Sequence, residues 1–211
     1  MRTHTKESQD ALSASEALEF LREGNERFQA NLRANRNTLE QVNETAEGQY
    51  PFAVILSCID SRTSAELIFD QGLGDIFSIR IAGNILNDDI LGSMEFACRL
   101  AKSKLIVVLG HSGCGAVGGA CDDAQLGHLT GLLAKLQPAL ERVRGAGDLP
   151  RAELIQKAAE ANVEFVVSEI QSRSSVLSTM IEAGEVGIVG AMYSVQSGVI
   201  EFGELTCGGA S

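Results

Sequence analysis

Apolar residues fall along this chain in two modes, short unbroken runs and longer stretches at helical spacing. Phe52–Ser57, Ile76–Ile81, Leu105–Leu109 and Gly187–Tyr193 are runs too short for a helix. Phe52–Ser57 lacks the in–out alternation of a half-exposed strand and predicts a strand covered on both faces, as parallel strands are; the other three also read as strands. Between them lie helical stretches: Ile90–Ala101, a segment after Gly115, Leu129–Arg144 and Arg151–Ile181. The last is too long for one uninterrupted helix, and Gly145–Gly147 with Pro150 separates it from its predecessor. Val199–Phe202 follows Gln196-Ser-Gly198, a hairpin-like turn. Strands alternating with helices predict an α/β fold with a mostly parallel central sheet flanked by helices and joined by right-handed crossovers. About four strands are expected, plus an antiparallel edge strand from the final hairpin.

Residues 1–50 read as an N-terminal helical arm and linker, part of the same domain as the α/β unit at 51–211. Ser13-x-x-Glu16 fits a capping box, and Leu18, Leu21, Phe28 and Leu32 recur at helical spacing around an interruption at Gly24-Asn25. Asn35–Tyr50 is polar and reads as a linker or frayed helix. Thr63-x-x-Glu66 predicts a second capping box, opening a short helix through Phe69.

Composition narrows the partners. Hydrophobic residues make up 45% and charged residues 21%, which excludes a disordered chain. With 17 Lys+Arg against 28 Asp+Glu the net charge is -11, and such a surface repels phosphate backbones and anionic lipids. No nucleic-acid or membrane partner is expected. No apolar run approaches the ~18 residues of a membrane span, and Met1–Asp10 lacks the apolar core of a secretory signal. A cytoplasmic address is therefore expected, where the five cysteines would not form a disulfide framework.

Two predicted strands end in unusual residues. The first runs into Cys58-Ile-Asp60-Ser-Arg62, the one at 105–109 into Gly110-His111-Ser-Gly-Cys114-Gly. Ligands of open α/β sheets gather beyond the C-terminal strand ends. If these strands are neighbours, Cys58, His111 and Cys114 can converge on one point. Two thiolates and an imidazole with a fourth position left over make a tetrahedral zinc site of the catalytic type. The glycines at 110, 113 and 115 let the backbone bend around it. Asp60 could ligate the metal, or accept a hydrogen bond from hydroxide on it. Pairing with Arg62 would keep Asp60 ionised and off the metal. Cys98, Cys121 and Cys207 lack such company and read as small core residues. No Cys-x-x-Cys is present, which disfavours thiol redox chemistry. Gly113-x-Gly115-x-x-Gly118 matches a dinucleotide fingerprint but straddles Cys114.

The segments Gln49-Tyr-Pro-Phe-Ala-Val-Ile-Leu-Ser-Cys58-Ile-Asp60-Ser-Arg62, Arg80-Ile-Ala-Gly83-Asn84, Gly110-His111-Ser-Gly-Cys114-Gly-Ala-Val117 and Leu21-x-x-Gly24-Asn25-x-Arg27-Phe28 resemble the β-class carbonic anhydrases. The resemblance runs from about residue 15 to about residue 203. It implies zinc-dependent, reversible hydration of carbon dioxide to bicarbonate, with one Zn2+ per chain on Cys58, His111 and Cys114. Asp60 and Arg62 would be the catalytic dyad, with Gln49 and Gly83 at the substrate. It implies N-terminal helices that embrace a partner subunit, in dimers or tetramers with active sites at the dimer interface. A bicarbonate regulatory site in part of the family uses Trp, Arg and Tyr. Arg80 and Tyr193 match two of these positions, but the Trp position is Ile55, which offers no indole N–H. Two other readings suit the same residues. One is a non-catalytic homologue or bicarbonate sensor with Asp60 as a permanent fourth ligand. The other is a hydrolase of carbon disulfide or carbonyl sulfide.

Overall fold

The computed structural model describes residues 3–145 and 147–208. Ala146 of the expected helix break, and the outermost residues of the expected arm and α/β unit, lie outside them. Among the described residues, one sheet holds β1 (Ala53–Ser57), β2 (Ile76–Arg80), β3 (Leu105–His111), β4 (Gly187–Tyr193) and β5 (Ile200–Phe202). Their order is β2-β1-β3-β4-β5, the first four parallel and β5 antiparallel on the edge. β1 and β3 are central and buried at every position, so their sequences are unbroken apolar runs. β2, on the other edge, is fully buried only at Ile76.

The helices are α1 (Lys6–Asp10), α2 (Ala14–Gln29), α3 (Thr38–Glu44), α4 (Ala65–Ile68), α5 (Asp88–Glu95), α6 (Gly115–Cys121), α7 (Gly127–Leu133), α8 (Gln137–Arg144), α9 (Arg151–Arg173) and α10 (Ser175–Glu182). On one face of the sheet Val54, Leu56, Ile106, Val108 and Ile188 pack under α5, α9 and α10. On the other, Ile55, Leu105, Val107, Leu109 and Val189 pack under α2 and α4. Each such buried aliphatic side chain contributes roughly 1.5–3 kcal/mol.

The arm is fastened to its own domain by the motif read at Gly24–Arg27. A Cβ at Gly24 would lie 1.8 Å from the Phe69 carbonyl oxygen, so only glycine admits the approach of α2 to the end of α4. Asn25 is buried; its Nδ2 donates to the carbonyls of Ile68 and Gly198, and its Oδ1 accepts from the Ile200 amide. Arg27 pairs with buried Asp70 at 2.6 Å, and Arg36 pairs with the same carboxylate at 2.6 Å. Further back, α1 is tied in by Gln9, whose Nε2 donates to the carbonyls of Pro51 and Ala101.

Several local expectations differ from the fold. Ser13 and Glu16 do form a capping box. Thr63 and Glu66 do not: Ser64 is the N-cap of α4, while the Thr63 hydroxyl turns inward to the carbonyls of Cys58 (3.1 Å) and Asp60 (2.9 Å). The polar Asn35–Tyr50 stretch contains α3, capped by Asn37. The helix expected over Ile90–Ala101 begins at Asp88 and changes to π-helical winding over Phe96–Leu100. As expected, the long 151–181 segment is not one helix: it breaks at Ser174, whose hydroxyl caps α10 by accepting from the Leu177 amide and donates to Glu95.

Candidate metal centre

β1 and β3 are parallel neighbours with Ser57 opposite Leu109, so both strands deliver their next residues to one edge of the sheet. Cys58 directly follows β1, His111 is the last residue of β3, and Cys114 caps α6 three residues later. Their donor atoms lie within 4.8 Å of one another, and all three residues are buried. Tetrahedral zinc with Zn–S and Zn–N bonds of about 2.3 and 2.0 Å needs donors roughly 3.5–4 Å apart, which this spacing accommodates.

The imidazole and the Cys58 sulfur are each in a state that suits a cation. His111 Nδ1 lies 3.0 Å from the Ser112 carbonyl oxygen, which can only accept, so the ring proton is assigned to Nδ1. The lone pair is thereby left on Nε2, which is buried and has no protein partner. A buried imidazole acceptor facing two thiols is costly unless something occupies the point between them. The Cys114 thiol is placed to donate to Cys58, which lowers the Cys58 pKa and raises that of Cys114. The Gly83 amide also donates to Cys58 Sγ, at 3.3 Å. Cys98, buried without such neighbours, is instead pushed up to about 12 by desolvation.

Asp60 lies just outside this cluster in a bidentate pair with Arg62. Arg62 Nε donates to Oδ1 at 2.9 Å, Nη2 to Oδ2 at 2.8 Å, and the Arg62 amide to Oδ1 at 3.0 Å. These bonds from Arg62 hold the Asp60 carboxyl well below the usual carboxylate range. The turn bearing Asp60 is braced by Arg80, whose Nε donates to the Cys58 carbonyl (3.1 Å) and Nη2 to that of Asp60 (2.6 Å). Thr63 grips the same two carbonyls from the buried side.

Of the remaining residues singled out from sequence, Tyr193 lies beside the centre, and Ile55 and Gln49 do not. Tyr193 ends β4 opposite His111 in register, and burial raises its phenol pKa. Ile55 is fully buried inside the apolar cluster of β1. Gln49 is exposed and precedes β1, at the strand's N-terminal end. Five strand residues at ~3.3 Å each put roughly 16 Å between that end and Cys58. A cleft of about 970 Å³ runs along β4, β5 and α9, touching the centre's surroundings at Ser112 and Tyr193. Glu160, Glu164, Glu201 and Glu204 line it, so it disfavours anions. The sequence points to Thr63 only as a helix cap and does not point to Asn162 as a site residue. Thr63 was hidden by its resemblance to a helix cap. Asn162 carried a signal, as a polar residue within the apolar stripe of α9.

The fold and centre define an α/β protein with a buried Cys2His donor set and an adjacent carboxylate–guanidinium pair. The carbonic anhydrase family model matches residues 53–200. Carbonic anhydrase 2 of Mycobacterium tuberculosis is 39% identical over 186 residues, covering 86% of this chain and 89% of that protein. Among solved structures, the β-carbonic anhydrase CafA of Aspergillus fumigatus aligns with a TM-score of 0.71 at 29% identity, over 90% of each chain. A tetrameric β-carbonic anhydrase from Sordaria macrospora aligns with a TM-score of 0.70 at 24% identity, covering 80% of this chain and 92% of that one. The chain belongs to the carbonic anhydrase family, in its β class, whose substrates are carbon dioxide and bicarbonate.

Proposed function

We infer that this centre is a catalytic zinc site, one Zn2+ per chain on Cys58, His111 and Cys114, and that the protein reversibly hydrates carbon dioxide to bicarbonate. The observation that carries this is the division of labour at the β1 end: three buried donors converge while the nearest carboxylate is held away by Arg62. Three protein ligands with a free fourth position is the catalytic arrangement. Zinc, when bound, supplies a hydroxide equivalent near neutral pH by acidifying water. Two thiolates offset more of the metal's charge than imidazoles would, so activity is expected to rise with pH beyond the ~7 typical of an all-imidazole site.

Asp60 is the orienting group. Held ionised, it accepts a hydrogen bond from the nucleophile and turns a lone pair toward carbon dioxide. Arg62 fixes the carboxylate plane, and Arg80 with Thr63 fixes the backbone beneath it. A permanently closed site with Asp60 as fourth ligand would have to break both Arg62 side-chain bonds, which argues against a purely structural zinc. Hydrolysis of carbon disulfide or carbonyl sulfide would use the same groups, and no observation favours it.

Gln49 precedes β1, and the length of that strand separates it from the substrate site of its own chain. A role for it at substrate therefore implies a second copy, with the site at a dimer interface, and the related Sordaria protein is tetrameric. No helix among the described residues is long and apolar enough to cross a membrane; a cytoplasmic enzyme is proposed. With Ile55 sealed in the core and Arg80 committed to carbonyls, bicarbonate is expected to act as product and not as a cooperative regulator. Stopped-flow carbon dioxide hydration with metal analysis from pH 6.5 to 9 tests the reading. One zinc per chain and a rate that climbs with pH are expected. Zinc without hydration at any pH would leave the closed structural site.

A further inference from the structure

Asn162 sits on α9 at 1% exposure, surrounded along its helix by the buried apolar residues Ala158, Ala159, Val163, Val166 and Ile170. Packing alone would place an aliphatic side chain there, because a buried amide costs stability unless its hydrogen bonds are made. Its Nδ2 donates to the Gly83 carbonyl at 2.9 Å. That oxygen can only accept, so the amide nitrogen must face Gly83, leaving Oδ1 buried without a protein partner. Gly83 stands in the turn after β2 with φ of +68°. A Cβ there would press on Leu136 at 3.2 Å and Ala116 at 3.3 Å. This one residue therefore has its carbonyl gripped by α9 and its N–H aimed at Cys58 Sγ, at 3.3 Å.

We propose that Asn162 is a positioning residue for the metal centre: by holding the Gly83 carbonyl it aims the Gly83 N–H at the Cys58 sulfur and so sets that thiolate's charge and its grip on the metal. The proposal rests on the zinc reading above. An N–H···S bond draws electron density from sulfur and fixes the direction of its lone pairs, and outer contacts of this kind orient and tune metal ligands. α9 thus reaches the centre through a single backbone unit, although none of its side chains is a donor. Arg80 and Thr63 brace the backbone of Cys58; Asn162 acts on its sulfur.

The test compares wild type with Asn162→Leu, which keeps the side-chain volume and removes the donor. Both are loaded with Co2+ for absorption spectroscopy, and with zinc for release to a chromophoric chelator. In the variant, the thiolate-to-cobalt charge-transfer band is expected at lower energy because sulfur regains electron density, and zinc release about tenfold faster because the sulfur lone pairs lose their fixed direction, the larger of the two effects on binding. An unmoved band and an unchanged release rate would overturn the proposal. A lowered unfolding temperature with both readouts unmoved would overturn it too, leaving Asn162 a packing residue. If the leucine variant does not fold, Asn162→Ser, with a shorter donor, decides by the same two readouts. Absence of any thiolate-to-cobalt band in the wild type would refute the zinc reading itself, which the variant comparison alone cannot do.

Discussion

Arg62→Ala isolates the orientation of Asp60 from its charge. Three N–H groups face the carboxylate, and the guanidinium supplies two of them, at 2.9 and 2.8 Å; the third is the Arg62 amide, at 3.0 Å, which the substitution keeps. Oδ2 loses its bond and Oδ1 keeps one, so the carboxylate remains tethered at one oxygen and free to rotate about it. Its pKa, depressed chiefly by Arg62, moves up toward the ordinary value of about 3.9. That is still far below neutrality, so Asp60 stays ionised from pH 7 to 9 and the defect is one of geometry. Misplacement of a reacting group by ~1 Å costs on the order of 10²-fold. The variant is therefore expected to keep its zinc, to lose roughly 10²-fold in kcat/KM, and to lose it evenly across that pH range. Stopped-flow hydration with zinc quantitation measures this. A variant retaining more than half of wild-type activity would refute the role of Arg62. A deficit that vanishes at pH 9 would show that protonation, and not orientation, was at stake.

Two further predictions concern the arm. Gly24→Ala places a methyl 1.8 Å from the Phe69 carbonyl oxygen, so α2 must shift; a loss of roughly 3 kcal/mol in urea unfolding is expected, and unchanged stability would mean that the arm docks elsewhere. Asp70→Asn removes the carboxylate that pairs with Arg27 and Arg36. Burial works against ionisation of Asp70, but Arg27, the Ala34 amide and Arg36 outweigh it and lower its pKa. Its stabilisation is thus present above the unfolded carboxylate pKa and lost as pH falls through the folded one. The variant should be about 3 kcal/mol less stable at pH 7 and show a flatter acid limb, read from unfolding between pH 2 and 7.

Much of this architecture was legible because central parallel strands have nothing to alternate against. β1 and β3 announced themselves as unbroken apolar runs, and their abrupt ends at Cys58 and His111 marked the chemistry. What local patterns misread were residues with two possible hydrogen-bond partners. Thr63 can cap a helix or turn inward to the Cys58 and Asp60 carbonyls, and in the folded chain it does the second. The polar run at Asn35–Tyr50 contains a seven-residue helix whose stability comes from tertiary contacts, among them Gln41 accepting from the Leu73 amide.

The sequence by itself determined the residue types of the donor set, the alternation of strands and helices, and the Asp60–Arg62 spacing, since these depend on covalent order and short-range periodicity. Only the tertiary structure decided that β1 and β3 lie side by side, that Gly83 turns its amide to Cys58, that Asn162 reaches it from α9, and that Gly24 and Asn25 serve to fasten the arm. Those are contacts between segments 25 to 175 residues apart. Which of many polar groups meets which across such separations is set by how the whole sheet and its covering helices pack, and no stretch of sequence carries that alone.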